Sequence, residues 1–238
     1  MREYDSGDDD EHNHVYPRRV QFRLGLTWVH ADAELFDEVF PHVMRLSIVP
    51  RPWDRLVRRI FSWLPSSLYS MAKTYIPGPF LPPRVALKKL QKDTESHVEL
   101  FENEQAMYRR LQPLQGKVIP YFYGEATCEG KRAIVLSVVD GVVALKQEKP
   151  RLSIEELQQR LRVVAVAMEP YRIVYGDPKL GNLILVEDRV MLVDLEYAWE
   201  PDGDLTRYIN VLIGSFSFEY NRYLNSVGDE HAQKRLFF

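Results

Sequence analysis

A short run in the second half of this 238-residue chain carries residue types that suit phosphoryl transfer. The run is YGDPKLGN at residues 175–182, in which Asn182 follows Asp177 by five residues, and Asp194 comes directly after the apolar segment VMLV at residues 190–193. Phosphoryl transfer uses one carboxylate to orient a hydroxyl, with an amide and a second carboxylate to hold magnesium. We therefore predict Asp177 as the hydroxyl-orienting base and Asn182 and Asp194 as Mg²⁺ ligands. On its own, the Asp–Asn pair would also fit an ordinary capped turn.

Two segments further upstream add to this set. VALK, residues 85–88, is strand-like, and FENE, residues 101–104, falls on a predicted helix. Together with the run, they resemble the β3 Lys strand, the following helix and the catalytic loop of the protein kinase superfamily. The resemblance implies that Lys88 binds the α- and β-phosphates of ATP and pairs with Glu104, with Glu102 as the second choice. It also implies that Lys179 points toward the transferred phosphate.

The same resemblance places an adenine slot and a hinge. The hinge would be residues 137–139, whose backbone would meet the adenine. The residues implied as contacts of the nucleotide base are Val85, Ala86, Leu136, Ser137, Val139 and Leu185. The four aliphatic slot residues, Val85, Ala86, Leu136 and Leu185, would equally suit a hydrophobic core.

Residues 80–200 resemble the small kinase-like proteins of filamentous fungi. The phrases that carry this resemblance are FENE, LQGKVIP at residues 114–120, YGEA at residues 123–126 and VDLE at residues 193–196. It implies an α+β, two-lobed protein kinase-like fold with a reduced C-lobe, ATP and Mg²⁺ as cofactors, and an acceptor hydroxyl on a protein or a small molecule.

Several departures keep a second interpretation open. No Gly-x-Gly-x-x-Gly loop precedes Lys88, Tyr175 stands where kinases carry His, and Leu-Glu replaces Phe-Gly after Asp194. Where Glu196 replaces the usual Gly, its side chain would bring another carboxylate near the metal. Only a short segment follows, without an Ala-Pro-Glu motif. The alternatives are thus an atypical phosphotransferase and a catalytically dead pseudokinase that acts as a nucleotide- or protein-binding scaffold.

Hydrophobic periodicity predicts the elements that would position these residues. Strands are expected at residues 20–24, 84–90, 118–123 and 132–139, with a turn at Glu129-Gly130. Helices are expected at residues 99–111, from a capping box at Ser153 to Met168, and at residues 208–224. A hairpin is expected at residues 183–193. We assign residues 1–18 as a disordered acidic tail, 19–75 as an extension that completes the N-lobe, 76–225 as the kinase-like domain and 226–238 as a C-terminal tail.

Residues 53–64 predict an amphipathic helix with arginines on one face. The residues of the opposite, apolar face are Trp53, Leu56, Val57, Ile60, Phe61 and Leu64. This face is expected to dock on the protein's own core. A helix that lies on a membrane surface is the alternative.

Bulk properties exclude some classes of function. A net charge of −3 does not suggest a nucleic-acid partner, and the one cysteine, Cys128, excludes an internal disulfide. The N-terminal residues lack a signal-peptide core, and no apolar run is long enough for a spanning helix. We expect a cytoplasmic or nuclear location.

Overall fold

The computed structural model describes residues 16–36, 40–63, 65–149 and 151–226. The predicted acidic run, Asp5–His14, and residues 227–238 of the predicted C-terminal tail lie outside these residues. The chain divides into two compact units. Unit 1 contains the described residues up to Val98 together with Phe122–Val138, and unit 2 contains Glu99–Tyr121 and the chain from Val139 onward.

Unit 1 is built on a closed barrel of six antiparallel strands. The strands follow the order β1-β2-β3-β4-β6-β5, and β1 pairs with β5 to close it. Mixed helix and strand content confirms the α+β class, whereas the closure of the barrel was not predicted. The strands are β1 Arg18–Leu24, β2 Thr27–Leu35, β3 Val43–Ile48, β4 Arg84–Lys89, β5 Phe122–Cys128 and β6 Lys131–Ser137.

Alternating sequence fills the barrel interior. Side chains on a strand point to opposite faces in turn, so Val20, Phe22 and Leu24 of β1 are all buried while their neighbours are not. The predicted turn between β5 and β6 is confirmed: Glu129 and Gly130 both have positive φ, 53° and 78°, as a tight I′ hairpin requires. Cys128 lies in the core, and burial raises the pKa of its thiol to about 11, which keeps the thiol protonated and unreactive.

A charged cluster joins three strand ends of the barrel. The buried Lys89 ammonium lies 2.9 Å from a Glu129 carboxylate oxygen, and the Arg18 guanidinium donates to the same carboxylate. The hydrogen bond from Arg18 is the main cause that lowers the pKa of Glu129 to about 2, with Lys89 adding to it against the opposing effect of burial. Glu129 therefore carries its charge at all ordinary pH values.

One predicted strand was misplaced. The expected strand at residues 118–123 is wrong, because β5 begins only at Phe122 and continues to Cys128. Val118 belongs to unit 2, where its carbonyl accepts a hydrogen bond of 2.9 Å from the Leu192 N–H. Pro120 lacks an N–H and cannot continue a regular ladder, which explains why the apolar pattern did not become a strand there.

Residues 49–83 leave the barrel between β3 and β4 and carry two helices, α1 Asp54–Phe61 and α2 Ser66–Tyr75. The helix predicted at residues 53–64 is confirmed, but only part of its apolar face packs on the protein. Val57 and Phe61 are half-buried, and Phe61 packs against Phe80, whereas Trp53, Leu56 and Ile60 are all more than half exposed. The barrel is already filled by its own strands, so the exposed part of the face has no core to enter.

Unit 2 is mainly helical with a small sheet. It contains most of α3 Glu95–Arg110, then β7 Val142–Val143, α4 Ile154–Met168, β8 Leu183–Val186, β9 Arg189–Leu192 and α5 Leu205–Ser226. The hairpin of β8 and β9 confirms its prediction, and β7 adds to it in the order β7-β8-β9. The capping box at Ser153 and Glu156 is confirmed by both reciprocal hydrogen bonds. Within the described residues, no helix is both long and apolar enough to cross a bilayer.

Candidate functional site

The loop that carries the predicted catalytic residues starts from a small bridge. The Val174 N–H donates to the Trp199 carbonyl at 2.9 Å, and the Val174 carbonyl accepts from the Trp199 N–H at 3.0 Å. Tyr175 is buried next to this bridge, stacks on Phe216 at 6.1 Å between ring centroids, and donates through its hydroxyl to the Val193 carbonyl at 2.9 Å. Burial, reinforced by the charges of nearby carboxylates, raises the pKa of its phenol well above the ordinary value. The stacked ring and the bonded hydroxyl of Tyr175 therefore position the loop.

Gly176 is required by the close approach of two backbone segments. A Cβ at this position would lie 2.1 Å from the carbonyl oxygen of Tyr197. No real side chain tolerates that distance, so only glycine lets the loop pass and carry Asp177 beyond it. Gly181, later in the same loop, has no atom within 4 Å of a built Cβ.

Asp177 is held by two side chains of its own loop. Its Oδ2 accepts a hydrogen bond from Asn182 Nδ2 at 3.0 Å and lies 3.2 Å from Lys179 Nζ. The Asp177 carboxylate is largely buried, whereas the Lys179 side chain is 72% exposed. The Asp177 carboxylate is thus held by the Asn182 amide and by the exposed Lys179 ammonium. Such a carboxylate can orient an acceptor hydroxyl, and such a cation can meet a phosphate.

The two predicted metal ligands lie at the same end of the β8–β9 hairpin. Leu183 pairs with Leu192, and one step further the Val193 N–H donates to the Asn182 carbonyl at 3.0 Å. Asp194 follows directly and has φ of 63°, in the left-handed region. A strained backbone held at a candidate ligand is typical of sites in which function sets the geometry.

Asp194 and two glutamates form a cluster of three carboxylates. One carboxylate oxygen from each of Glu104, Asp194 and Glu196 lies within 4.8 Å of the others. Glu104 is fully buried and accepts from the Leu195 N–H at 3.4 Å. The three carboxylates offer hard oxygen ligands of the kind that Mg²⁺ prefers. Among the two glutamates considered for the helix, Glu104 enters this cluster and Glu102 is exposed.

Two further residues of α3 were missed by the sequence analysis. Asn103 donates through Nδ2 to the carbonyls of Glu196 and Ala198, at 2.7 and 2.8 Å, which holds the segment after Asp194 against the helix. Tyr108, one turn beyond Glu104, is completely buried. Burial raises the pKa of its phenol well above the ordinary value, and the charges of Glu104 and Asp194 add to this. In the sequence, only the position of Asn103 next to Glu104 could have indicated that Asn103 lies near the site.

An open cleft of about 590 Å³ lies beside the loop. One wall is the loop itself around Asp177 and Lys179, and the other wall is α5. Gly214 leaves room on the helix, because a Cβ there would meet nothing within 4 Å. The residues that line the cleft are Asp177, Pro178, Lys179, Val211, Gly214, Ser215, Phe218 and Glu219. Val211 of α5 lines this cleft and is more than half exposed.

In unit 1, Lys88 lies on β4 and is 8% exposed. Its strand partner is Ile134, and Ala86 pairs with Leu136 two residues away. Residues that pair across antiparallel strands share a face, so Ala86, Lys88 and Leu136 lie together on the outer face of the barrel.

Val85 lies on the opposite face of β4. It belongs to the barrel core with Leu87, which is the alternative that the sequence left open for the slot residues. Its strand partner is Ser137. The chain passes from unit 1 to unit 2 between Val138 and Val139, and Leu185 lies on β8 in unit 2.

Structural comparison assigns the fold of the chain. No protein-family model matches the sequence, and no curated protein shows significant similarity to it. The crystal structure of the PknI kinase domain of Mycobacterium tuberculosis, in a cysteine-to-alanine variant, is similar with a TM-score of 0.52. It is 16% identical in sequence, over 82% of this chain and 74% of that one. Another structure of the same domain has a TM-score of 0.46 at 20% identity, over 61% and 66% of the two chains. The chain therefore has a protein kinase-like fold.

Proposed function

We propose that the chain is an atypical phosphotransferase that uses ATP and Mg²⁺, with units 1 and 2 as its N-lobe and its reduced C-lobe. The contact set of Asp177, Lys179 and Asn182 carries this proposal, because it joins a fixed carboxylate, a cation and an amide next to Asp194. The kinase-like fold supports it. Ala86, Leu136 and Lys88, which share one face of unit 1, are the residues proposed to meet the nucleotide.

In this reaction, an acceptor hydroxyl in the cleft attacks the γ-phosphorus of ATP. The new O–P bond forms as the bond to the β-phosphate oxygen breaks, ADP leaves, and the proton of the hydroxyl passes to the Asp177 carboxylate. Lys179 offsets the charge on the transferred group. Asn182, Asp194 and Glu196 supply oxygen ligands for Mg²⁺, whose charge would neutralise the phosphates.

The size and lining of the cleft limit which acceptor molecules can enter. Its walls are mixed, with the Phe218 ring and Val211 on α5 opposite the charged loop. An open cleft of this volume admits a serine or threonine side chain of a protein or a small polyol, and the acceptor class stays open between them.

A nucleotide- or protein-binding scaffold without turnover is the second candidate. A specific observation favours it: neither hairpin that precedes β4 in the barrel carries a glycine-rich loop. The β1–β2 turn has Gly25 alone, and the β2–β3 connection, residues 36–42, has no glycine at all. Kinases cover the phosphates with backbone donors from such a loop, so its lack weakens the hold on ATP.

Thermal unfolding with ATP, with and without Mg²⁺, tests the nucleotide site that both candidates can share. At a hundred times the dissociation constant, a ligand adds about 2.7 kcal/mol of stability. We expect a magnesium-dependent gain in the parent that Asp194→Asn loses. Asp188→Asn is the matched control, because Asp188 is an exposed acid in the β8–β9 turn of the same unit.

Transfer itself is tested with Asp177→Asn. This variant should keep the stabilisation by ATP and Mg²⁺ but produce no ADP in the presence of serine- and threonine-containing peptides or polyols that sustain turnover in the parent. Stabilisation without ADP release in the parent would assign the scaffold function. If ATP and Mg²⁺ stabilise neither the parent nor any variant, the phosphotransferase is refuted and the scaffold would bind a protein and no nucleotide.

A further inference from the structure

The segment between β3 and β4 is longer than the fold needs. The two strands are antiparallel neighbours, and Ser47 pairs directly with Arg84. The Ile48 N–H donates to the Pro83 carbonyl at 2.8 Å, so the chain returns to the point that it left. A short turn would join such strands, and long connections that carry their own elements are typically functional. Residues 49–83 are called the insert below.

The insert is tied to β2 near its end, where the Gly78 N–H donates to Thr27 Oγ1 at 3.2 Å, and its two helices pack on an aromatic ring of the insert itself. Phe61 of α1 and Tyr69 of α2 both pack edge-on against Phe80, at 5.9 and 5.5 Å between ring centroids. Asp54 is buried, and its carboxylate accepts from the Arg51 N–H at 2.7 Å. The two helices are therefore anchored at a common ring, which leaves the other side of each helix outward.

The outward side of α1 is apolar. Trp53, Leu56 and Ile60 are 60%, 59% and 54% exposed, and Trp63 in the turn after the helix is 82% exposed. At about 100° per residue, Leu56, Ile60 and Trp53 fall within one narrow stripe, adjacent to the side that packs on Phe80. On α2, Leu68, Met71 and Tyr75 are also about half exposed or more, at the i, i+3, i+7 spacing of a single helix face.

The charges that accompany these stripes have one sign. The insert contains five basic residues and a single acid, although the whole chain has a net charge of −3. That acid is Asp54, which is buried and bonded internally. Arg55, Arg58 and Arg59 are exposed along α1, and Lys73 of α2 is exposed with its ammonium 4.7 Å from the centre of the Tyr69 ring.

We propose that the insert is a membrane-surface anchor that places α1 and α2 in the headgroup region of an anionic lipid bilayer. Amphipathic helices of this kind insert Trp and Leu into the headgroup–acyl boundary and use Arg and Lys to attract anionic lipid. Indole and phenol rings prefer this interface, and the insert carries two tryptophans on its exposed side. A second copy of the chain is a poorer occupant, because symmetric pairing would bring two sets of arginines together.

Flotation with lipid vesicles tests the anchor on the full chain. We expect co-flotation with vesicles of phosphatidylcholine and phosphatidylserine, weak flotation with phosphatidylcholine alone, and release by salt. Leu56→Glu with Ile60→Glu should abolish flotation, and both sites are exposed, so folding should persist. Val163→Glu with Val166→Glu is the matched control, because these α4 residues are equally exposed apolar sites.

The electrostatic part is tested separately. Each basic residue near an anionic surface contributes about 1 kcal/mol, so Arg55→Gln with Arg59→Gln should lower partitioning onto the anionic vesicles about 30-fold. Trp fluorescence should shift to the blue with anionic vesicles, and the shift should be lost in Trp53→Phe with Trp63→Phe.

Two results would overturn the anchor. One is flotation that Leu56→Glu with Ile60→Glu leaves unchanged. The other is a parent that does not float but forms a dimer in solution that the same substitutions dissociate, which would assign the surface to a second copy.

Discussion

Gly176→Ala tests the geometry that carries the catalytic loop. The built Cβ lies 2.1 Å from the Tyr197 carbonyl oxygen, and a backbone atom cannot swing aside as a flexible side chain would. The segment around Tyr197 must move, and the two hydrogen bonds of the Val174–Trp199 bridge, at 2.9 and 3.0 Å, lie directly beside it.

The cost follows from these contacts. Loss of two backbone hydrogen bonds costs about 2 kcal/mol, and overpacking adds about 1–3 kcal/mol. We expect Gly176→Ala to lower the free energy of unfolding by about 3–5 kcal/mol, measured by urea titration with circular dichroism. The displaced bridge should also disturb Asp177, so nucleotide-dependent activity should fall more than stability alone explains.

Gly181→Ala is the control in the same loop. Its built Cβ meets nothing within 4 Å, and its φ is not in the left-handed region. This variant should match the parent or gain about 0.5 kcal/mol, because alanine reduces the entropy of the unfolded chain. If Gly176→Ala unfolds at the same urea concentration as Gly181→Ala, the close approach of residues 176 and 197 is refuted.

Two further predictions concern buried polar groups. Glu129→Gln removes the partner of the buried Lys89 ammonium and should cost about 2 kcal/mol, whereas Asp32→Asn, in an exposed pair on the same barrel, should cost less than about 1 kcal/mol. Because the folded pKa of Glu129 is lowered to about 2, its contribution is complete above pH of about 4.5, and the difference between parent and Glu129→Gln should vanish as pH falls toward 2 in thermal unfolding. Asn103→Ala should cost about 2 kcal/mol by urea titration, and Asn103→Asp should cost more, because its carboxylate would face two carbonyl oxygens that now accept from an amide.

Local signals in the sequence predicted local structure well. The capping box at Ser153, the hairpin at residues 183–193 and the Glu129-Gly130 turn each depend on residues within a few positions of one another. The order of the elements and the α+β class follow from such signals. Short-range hydrogen bonds and backbone preferences determine them, so no knowledge of distant contacts was needed.

Contacts between distant segments could not be predicted in this way. The pairing of β1 with β5 joins residues about a hundred positions apart, and no local sequence pattern predicts this pairing. The exposure of the apolar stripe of α1 also depends on contacts with distant segments. Periodicity located the helix, but whether its stripe meets a core or solvent depends on where the barrel is already full.

The candidate site divides in the same manner. The contacts of Asp177, Lys179 and Asn182 lie within one loop, and the sequence named these three residues as site candidates through their spacing and the kinase resemblance. Glu196 was named only as an alternative carboxylate, because its proximity to Glu104 depends on how α3 packs on the segment after β9. The resemblance implied Val85 as a residue of the adenine slot, with a core position as the alternative, and the alternation of β4 puts its side chain in the barrel core.

Closure of the barrel restricts how unit 1 can recognise a protein. Open sheets offer an edge strand with unpaired N–H and C=O groups, and many binding domains accept an extended peptide there as an added strand. Here β1 pairs with β2 along its length and with β5 at Phe22–Leu24. At that seam, a peptide would have to separate β1 from β5 before it could join the sheet. The seam therefore directs recognition of a protein by unit 1 toward side-chain surfaces, and it limits edge-to-edge aggregation there.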